Sequence, residues 1–330
     1  MVKSISVKKI IFSISLFWAL LVSITVPAQK ITPVDKKNLL AKEDSLQQMA
    51  RFMILDTVAA GRLLAYKDFV PVFIRSLKVK NSFYFPFDSV LGISKLYAPD
   101  SSFRIFTWYV EVDDYAGFQR GFIQMKTPTG ALKGFFLFDN SDYVDNPNNI
   151  VSRDSTWIGA VYYNIIKNEY KGKNYYTLFG IDRNSARTDK KWIDVLSFNE
   201  KKEPVFGGQM FSFEEDSLIK PSLSRFSVEF KKQARIYINY EPDLNMILVD
   251  HLVSETDEPE NMSSYVPDGD YEGFKWQNGR WVHIDKVFNV KLNDGEAPVD
   301  DPIMDLKGKK DEKKLQEKSE SNKKKSGGNN

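Results

Sequence analysis

From residue 91 onward apolar and polar positions alternate with a period of two, in short runs that predict strands over 93–97, 103–112, 117–125, 131–138, 156–165, 175–181, 192–198 and 205–211. Turn chemistry separates the runs: Pro99-Asp100-Ser101-Ser102, Thr127-Pro128-Thr129-Gly130 and Lys171-Gly172-Lys173-Asn174. Short successive strands joined this way describe an antiparallel meander. The first part of the chain has a different period. Asp35 reads as the N-cap of a helix carrying Leu39, Leu40, Leu46, Met49 and Met53 at spacings of three and four, and a second helix begins near Thr57, with Pro71 expected to kink or restart it. The apolar stripes of these helices need a surface to cover, and a sheet face or end is the partner available.

The most legible stretch is 225–288, where three hairpins follow from alternation and turn residues. Asn278-Gly279 suits a type I′ turn, because both central residues of that turn need positive φ. With those two residues as the loop, Gln277 opposes Arg280, Trp276 opposes Trp281, Lys275 opposes Val282 and Phe274 opposes His283. Phe274, Trp276, Trp281 and His283 then share one face. Upstream, Ile236, Ile238 and Tyr240 alternate with Arg235, Tyr237 and Asn239, and Glu241-Pro242-Asp243-Leu244-Asn245 turns the chain. The returning run 246–253 is apolar on both faces apart from Asp250 and His251, as in a strand covered on both sides.

The chain thus divides into a leader (1–28), a helical segment (29–80), an antiparallel all-β domain (81–292) and a Lys/Glu-rich tail (293–330). The fold class is mainly β, as a sandwich or open barrel with the helical pair packed against it. A propeller-like ring is the competing architecture, but no fixed repeat is present, and about 13 strands make too few blades.

Composition narrows the compartment. Lys3, Lys8 and Lys9 precede an uncharged run from Ile10 to Val26, followed by Pro27-Ala28, the pattern of a secretory signal peptide cleaved near Gln29. Export to the periplasm, the outer surface or the medium is the expectation. The absence of cysteine leaves stability to burial alone and excludes thiolate chemistry. Of 46 basic and 44 acidic residues, the leader takes three lysines and the segment 305–330 takes nine lysines and five acids. The body is mildly acidic, which argues against nucleic acid as a partner. The tail's composition favours disorder, with contact to anionic surfaces as a possible use.

Chemistry-bearing patterns are few. His251 and His283 are the only histidines, and a joint metal site would need their strands adjacent and a carboxylate between them. Asp268-Gly269-Asp270-Tyr271-Glu272 places Asp268, Asp270 and Glu272 at alternate positions, a pattern of hard-cation sites that a Pro-Asp-Gly turn also explains. Glu111, Asp113, Asp114 and Asp250 are available as acid pairs for glycoside hydrolysis, and no nucleophile elbow, phosphate loop or His-Glu-x-x-His motif occurs. The row Phe274, Trp276, Trp281 and His283 is either a platform for stacking on sugars or a partner, or a core face. Together these point to an exported, non-enzymatic binding or envelope-associated protein for a glycan or envelope partner, with no cofactor. A secreted hydrolase using carboxylates is the alternative.

Overall fold

The computed structural model describes residues 30–288 apart from 114 and 219. The leader 1–28 and the tail 293–330 lie outside the described residues. Two helices come first, α1 (Pro33–Leu55) and α2 (Ala59–Leu77). The cap of α1 is Thr32 rather than Asp35: the Asp35 N–H donates to Thr32 Oγ1 at 3.1 Å, and Pro33 occupies the first turn, where its missing N–H costs nothing. Pro71 neither breaks nor restarts α2, although it cannot donate to the preceding turn. Burial holds the helix together across it. Phe69, Phe73 and Leu77 are sealed against the sheet below, and the Phe73 ring meets Phe106, Trp108 and Phe122 edge-on at 5.0, 5.7 and 6.1 Å.

The strands in chain order are β1 (Ser94–Tyr97), β2 (Phe103–Glu111), β3 (Gly117–Met125), β4 (Gly134–Phe138), β5 (Val161–Tyr170), β6 (Lys173–Asp182), β7 (Thr188–Phe198) and β8 (Pro204–Phe206). Then follow β9 (Phe211–Phe213), β10 (Lys220–Leu223), β11 (Phe226–Lys231), β12 (Ile238–Glu241), β13 (Met246–Ser254), β14 (Tyr265–Gln277) and β15 (Arg280–Ile284). They form three sheets, ordered β1-β2-β3-β4, then β11-β7-β6-β5 with β8 on β7, then β10-β9-β15-β14-β13-β12. All pairings are antiparallel except β15 with β9.

Two predicted strands are displaced. The run 156–165 begins late because 154–156 makes a single tight turn that buries Trp157, so β5 starts at Val161. The run 205–211 divides at Gly207 and Gly208, whose φ values of 86° and 128° turn the chain from the second sheet into the third.

Alternation sorts the side chains into layers. On β2, Phe106, Trp108 and Val110 face the helices, whereas Phe103 and Ile105 face the second sheet. On β7, Trp192 and Leu196 face the first sheet, and Ile193 and Val195 face the third. The result is helices, first sheet, second sheet and third sheet in succession. The inner sheets are covered on both faces, which is why β2, β6 and β7 each contain a stretch buried at consecutive positions.

Two buried arginines inside this stack are held by several polar contacts each. Arg225, fully buried, lies 3.4 Å from Asp194 and donates to Ser152 Oγ at 3.0 Å and to the Pro147 carbonyl. Burial pushes the Asp194 carboxyl up, against the pull of Arg225. Arg104 is caged by the rings of Phe83, Phe87, Tyr97 and Phe106 and donates to the Phe85 and Ser82 carbonyls at 2.6 and 2.8 Å.

Candidate functional site

The hairpin register read from Asn278-Gly279 is present pair for pair, and both turn residues have positive φ, 50° and 85°. Its aromatic face is interior. Phe274 and Trp281 are fully buried and His283 is 3% exposed, because this side of the third sheet covers Phe179, Ile193 and Val195 of the second. Only Trp276 reaches the surface, half-buried between Trp281 at 5.2 Å and Tyr175 at 5.6 Å. The four residues therefore do not form an open platform.

The carboxylates of 268–272 lie within β14 rather than at a hairpin turn, beside a register shift opposite Asp250 and Leu252. Gly269, at φ 94°, accommodates the irregularity. Each acid takes a different basic side chain as its partner. Asp268 meets His251 Nδ1 at 2.8 Å, Asp270 meets Lys286 at 2.8 Å, and Glu272 meets His283 Nε2 at 3.1 Å. They do not converge, and among the described residues no group of three His, Cys, Asp or Glu is placed to hold a metal ion. His251 and His283 sit on β13 and β15, with β14 between them. His283 is clamped on both sides, since its Nδ1 faces the Asp216 carboxylate at 2.8 and 3.0 Å. Burial alone would lower its pKa, but hydrogen bonds and attraction to Glu272 and Asp216 win and raise it.

Of the remaining acids, Asp113 caps the β2–β3 turn through the N–H groups of Tyr115 and Ala116, both at 2.8 Å. Asp250 accepts the Tyr237 N–H at 2.6 Å. Asp114 is outside the described residues. Glu111 is different, because it lines a cleft.

That cleft, of about 350 Å³, opens where the helical hairpin, the first sheet and the second sheet meet. Arg62 of α2 fixes the junction by donating to the carbonyls of Glu111 at 2.7 Å, Val112 at 3.2 Å and Asp56 at 2.8 Å. One wall is apolar, from Met53 and Ile54 at the end of α1; the other carries Tyr109, Glu111, Gln119 and Arg183. The Arg183 guanidinium stands 5.9 Å from the Tyr109 ring centroid. Neither the Glu111 carboxylate nor the Arg183 guanidinium has a hydrogen-bond or ion-pair partner among the described residues. Burial, then the Glu111 charge, pushes the Tyr109 phenol up to about 12, so it remains a neutral donor.

Behind this wall lies Asp182, 8% exposed and accepting from the Gln119 side-chain amide. Burial and, second, the neighbouring Asp139 charge push its carboxyl up to about 7. Asp139 is itself saturated, accepting the N–H groups of Gln119, Ser141 and Gly159 at 3.1, 3.1 and 3.0 Å. A larger hollow of about 640 Å³ beside Lys36, Tyr84 and Asp88 is shallower and borders Lys30, where the described residues begin. The sequence singled out Glu111 alone of the cleft's polar residues. Tyr109, Gln119, Asp182 and Arg183 belong to no motif and come together only through the stacking of two sheets. Among protein families, characterised proteins and solved structures, nothing matches this chain.

Proposed function

We propose that this chain is an exported binding module whose ligand is a small hydroxylated molecule of glycan type, seated in the cleft of Tyr109, Glu111, Gln119 and Arg183. The observation that carries the reading is the pair of planar groups without a hydrogen-bond or ion-pair partner: Glu111 and Arg183 face a cleft, whereas the acids of β14 are each engaged by a His or Lys side chain. Vicinal hydroxyls suit such bidentate groups, an aromatic ring suits the C–H face of a sugar, and the cleft volume lies in the range of small-ligand sites. Export rests on the leader pattern of residues 1–28.

A hydrolase is the second reading, resting on the Asp182 carboxyl, pushed up to about 7, behind the wall that carries Glu111. The burial of Asp182 behind Gln119 favours binding over turnover. Calorimetric titration with a panel of mono- and disaccharides tests both. Saturable binding that is lost in Glu111→Gln and Arg183→Ala, with the sugar recovered unchanged, supports the module. Cleavage that disappears in Asp182→Asn replaces it with the hydrolase, and no binding across the panel rejects the glycan reading.

A further inference from the structure

Resting on that reading of the cleft, we infer that its ligand is a zwitterionic sugar, an amino sugar that also bears a carboxylate, with its ammonium group against Glu111 and its carboxylate against Arg183. Both residues line the one cleft, carry opposite charges, and form no ion pair with each other or with any other described residue. The charge on Glu111 is not met from within the fold. Arg62 bonds the carbonyl of this very residue, but its three guanidinium nitrogens are all engaged by carbonyls, those of Glu111, Val112 and Asp56, and the carboxylate is left to the cleft. Asp189 feels the Arg183 charge without forming an ion pair with it.

Tyr109 brings the two charges to one ring. Its phenol reaches Gly117, the ladder partner of Glu111, where a Cβ would collide with the Tyr109 hydroxyl, so the missing side chain leaves the room that the phenol occupies. The Arg183 guanidinium stands 5.9 Å from the centroid of the same ring. A neutral sugar seated here would draw water away from both charges and supply only neutral hydrogen bonds, whereas an ammonium and a carboxylate supply charge-assisted ones, about twice as strong. A ligand with a single charge would complement one residue and leave the other unmet. Opposite charges carried by one sugar meet both.

The test is calorimetric titration of the full chain with glucose, glucosamine, glucuronic acid and muramic acid at about pH 6, where the amines are protonated and the carboxylates ionised. The amine and the carboxylate are each expected to tighten binding by about five- to tenfold, so that muramic acid, which carries both, binds tightest. Glu111→Gln should then hold muramic acid no tighter than the wild type holds glucuronic acid, and Arg183→Gln no tighter than the wild type holds glucosamine. Neither side chain has a partner to lose, so both variants are expected to melt as the wild type does, and the four wild-type affinities decide the matter without them. Equal affinity for all four sugars overturns the zwitterion and leaves the cleft reading standing. A gain from only one of the two charges also overturns it, as does a gain that survives in both variants. Binding of none of the four overturns the inference, and with no binding across the wider saccharide panel the cleft reading falls as well.

Discussion

Trp281 donates its indole N–H to the Thr177 hydroxyl at 3.0 Å, a bond between the third sheet and the second that joins residues 104 positions apart in the chain. Both side chains are fully buried, so the bond sits in the apolar layer that fastens the two sheets. Trp281→Ala removes the indole from that layer and is expected to destabilise by about 3–5 kcal/mol. Trp281→Phe keeps most of the apolar volume but strands the Thr177 hydroxyl, at a cost of about 1–3 kcal/mol. Urea unfolding of the two variants separates packing from the hydrogen bond.

Gly279 is required at its position for two reasons. Its φ of 85° disfavours any L side chain, and a Cβ there would lie 2.3 Å from the Tyr170 ring. Gly279→Val is expected to cost more than ~1 kcal/mol and to displace Tyr170. Thermal unfolding reads the first effect, and the nuclear Overhauser contacts of Tyr170 read the second.

Asp182 sets a pH dependence. Its carboxyl is raised from 3.8 to about 7 in the folded chain, so the folded state holds a proton that the unfolded state has lost. The stability it contributes is complete below the unfolded value and disappears as pH rises through about 7, with a slope of at most about 1.4 kcal/mol per pH unit. Asp182→Asn should flatten that decline and leave the variant more stable than the wild type at pH 8, measured by urea unfolding at several pH values.

His283 acts in the neighbouring window. Its pKa is raised above 6.5 by Glu272 and Asp216 in spite of burial, so its contribution is complete below 6.5 and is lost as pH rises through the higher folded value. In Asp182→Asn, where the first effect is removed, a remaining loss of stability on the alkaline side is expected. Adding His283→Gln should abolish it. Proton–carbon correlation spectra of the imidazole follow the titration directly.

Much of the fold was readable because its information is local. Gly279 and Asn278 announce their turn in two letters, and the alternation of β2 or β7 records which faces are covered. Pro71 does not restart its helix because its local penalty is outweighed by Phe69 and Phe73, whose burial depends on a sheet formed later in the chain. The aromatic row of the last hairpin was readable as one face, with platform and core both open to it, since the residues that cover it lie on β6 and β7. The cleft was least legible. Tyr109 and Glu111 are 70 or more residues from Asp182 and Arg183, and nothing in either stretch signals the other. The uncommitted state of Glu111 is a property of its surroundings, not of its neighbours in sequence.

The parallel pairing of β15 with β9 has a kinetic consequence. Trp281 and Val282 pair with Phe211 and Ser212, so β15 enters between β9 and β14 after about 70 residues of intervening chain have been laid down. Closing so long a loop is slow relative to forming hairpins, and the third sheet is interrupted until it happens. A nascent chain ending before Arg280 would therefore present the open edges of β9 and β14 to solvent. Refolding should show a fast phase from the hairpin-built first sheet and a slower one, reported by Trp281 fluorescence, as the last strand is inserted.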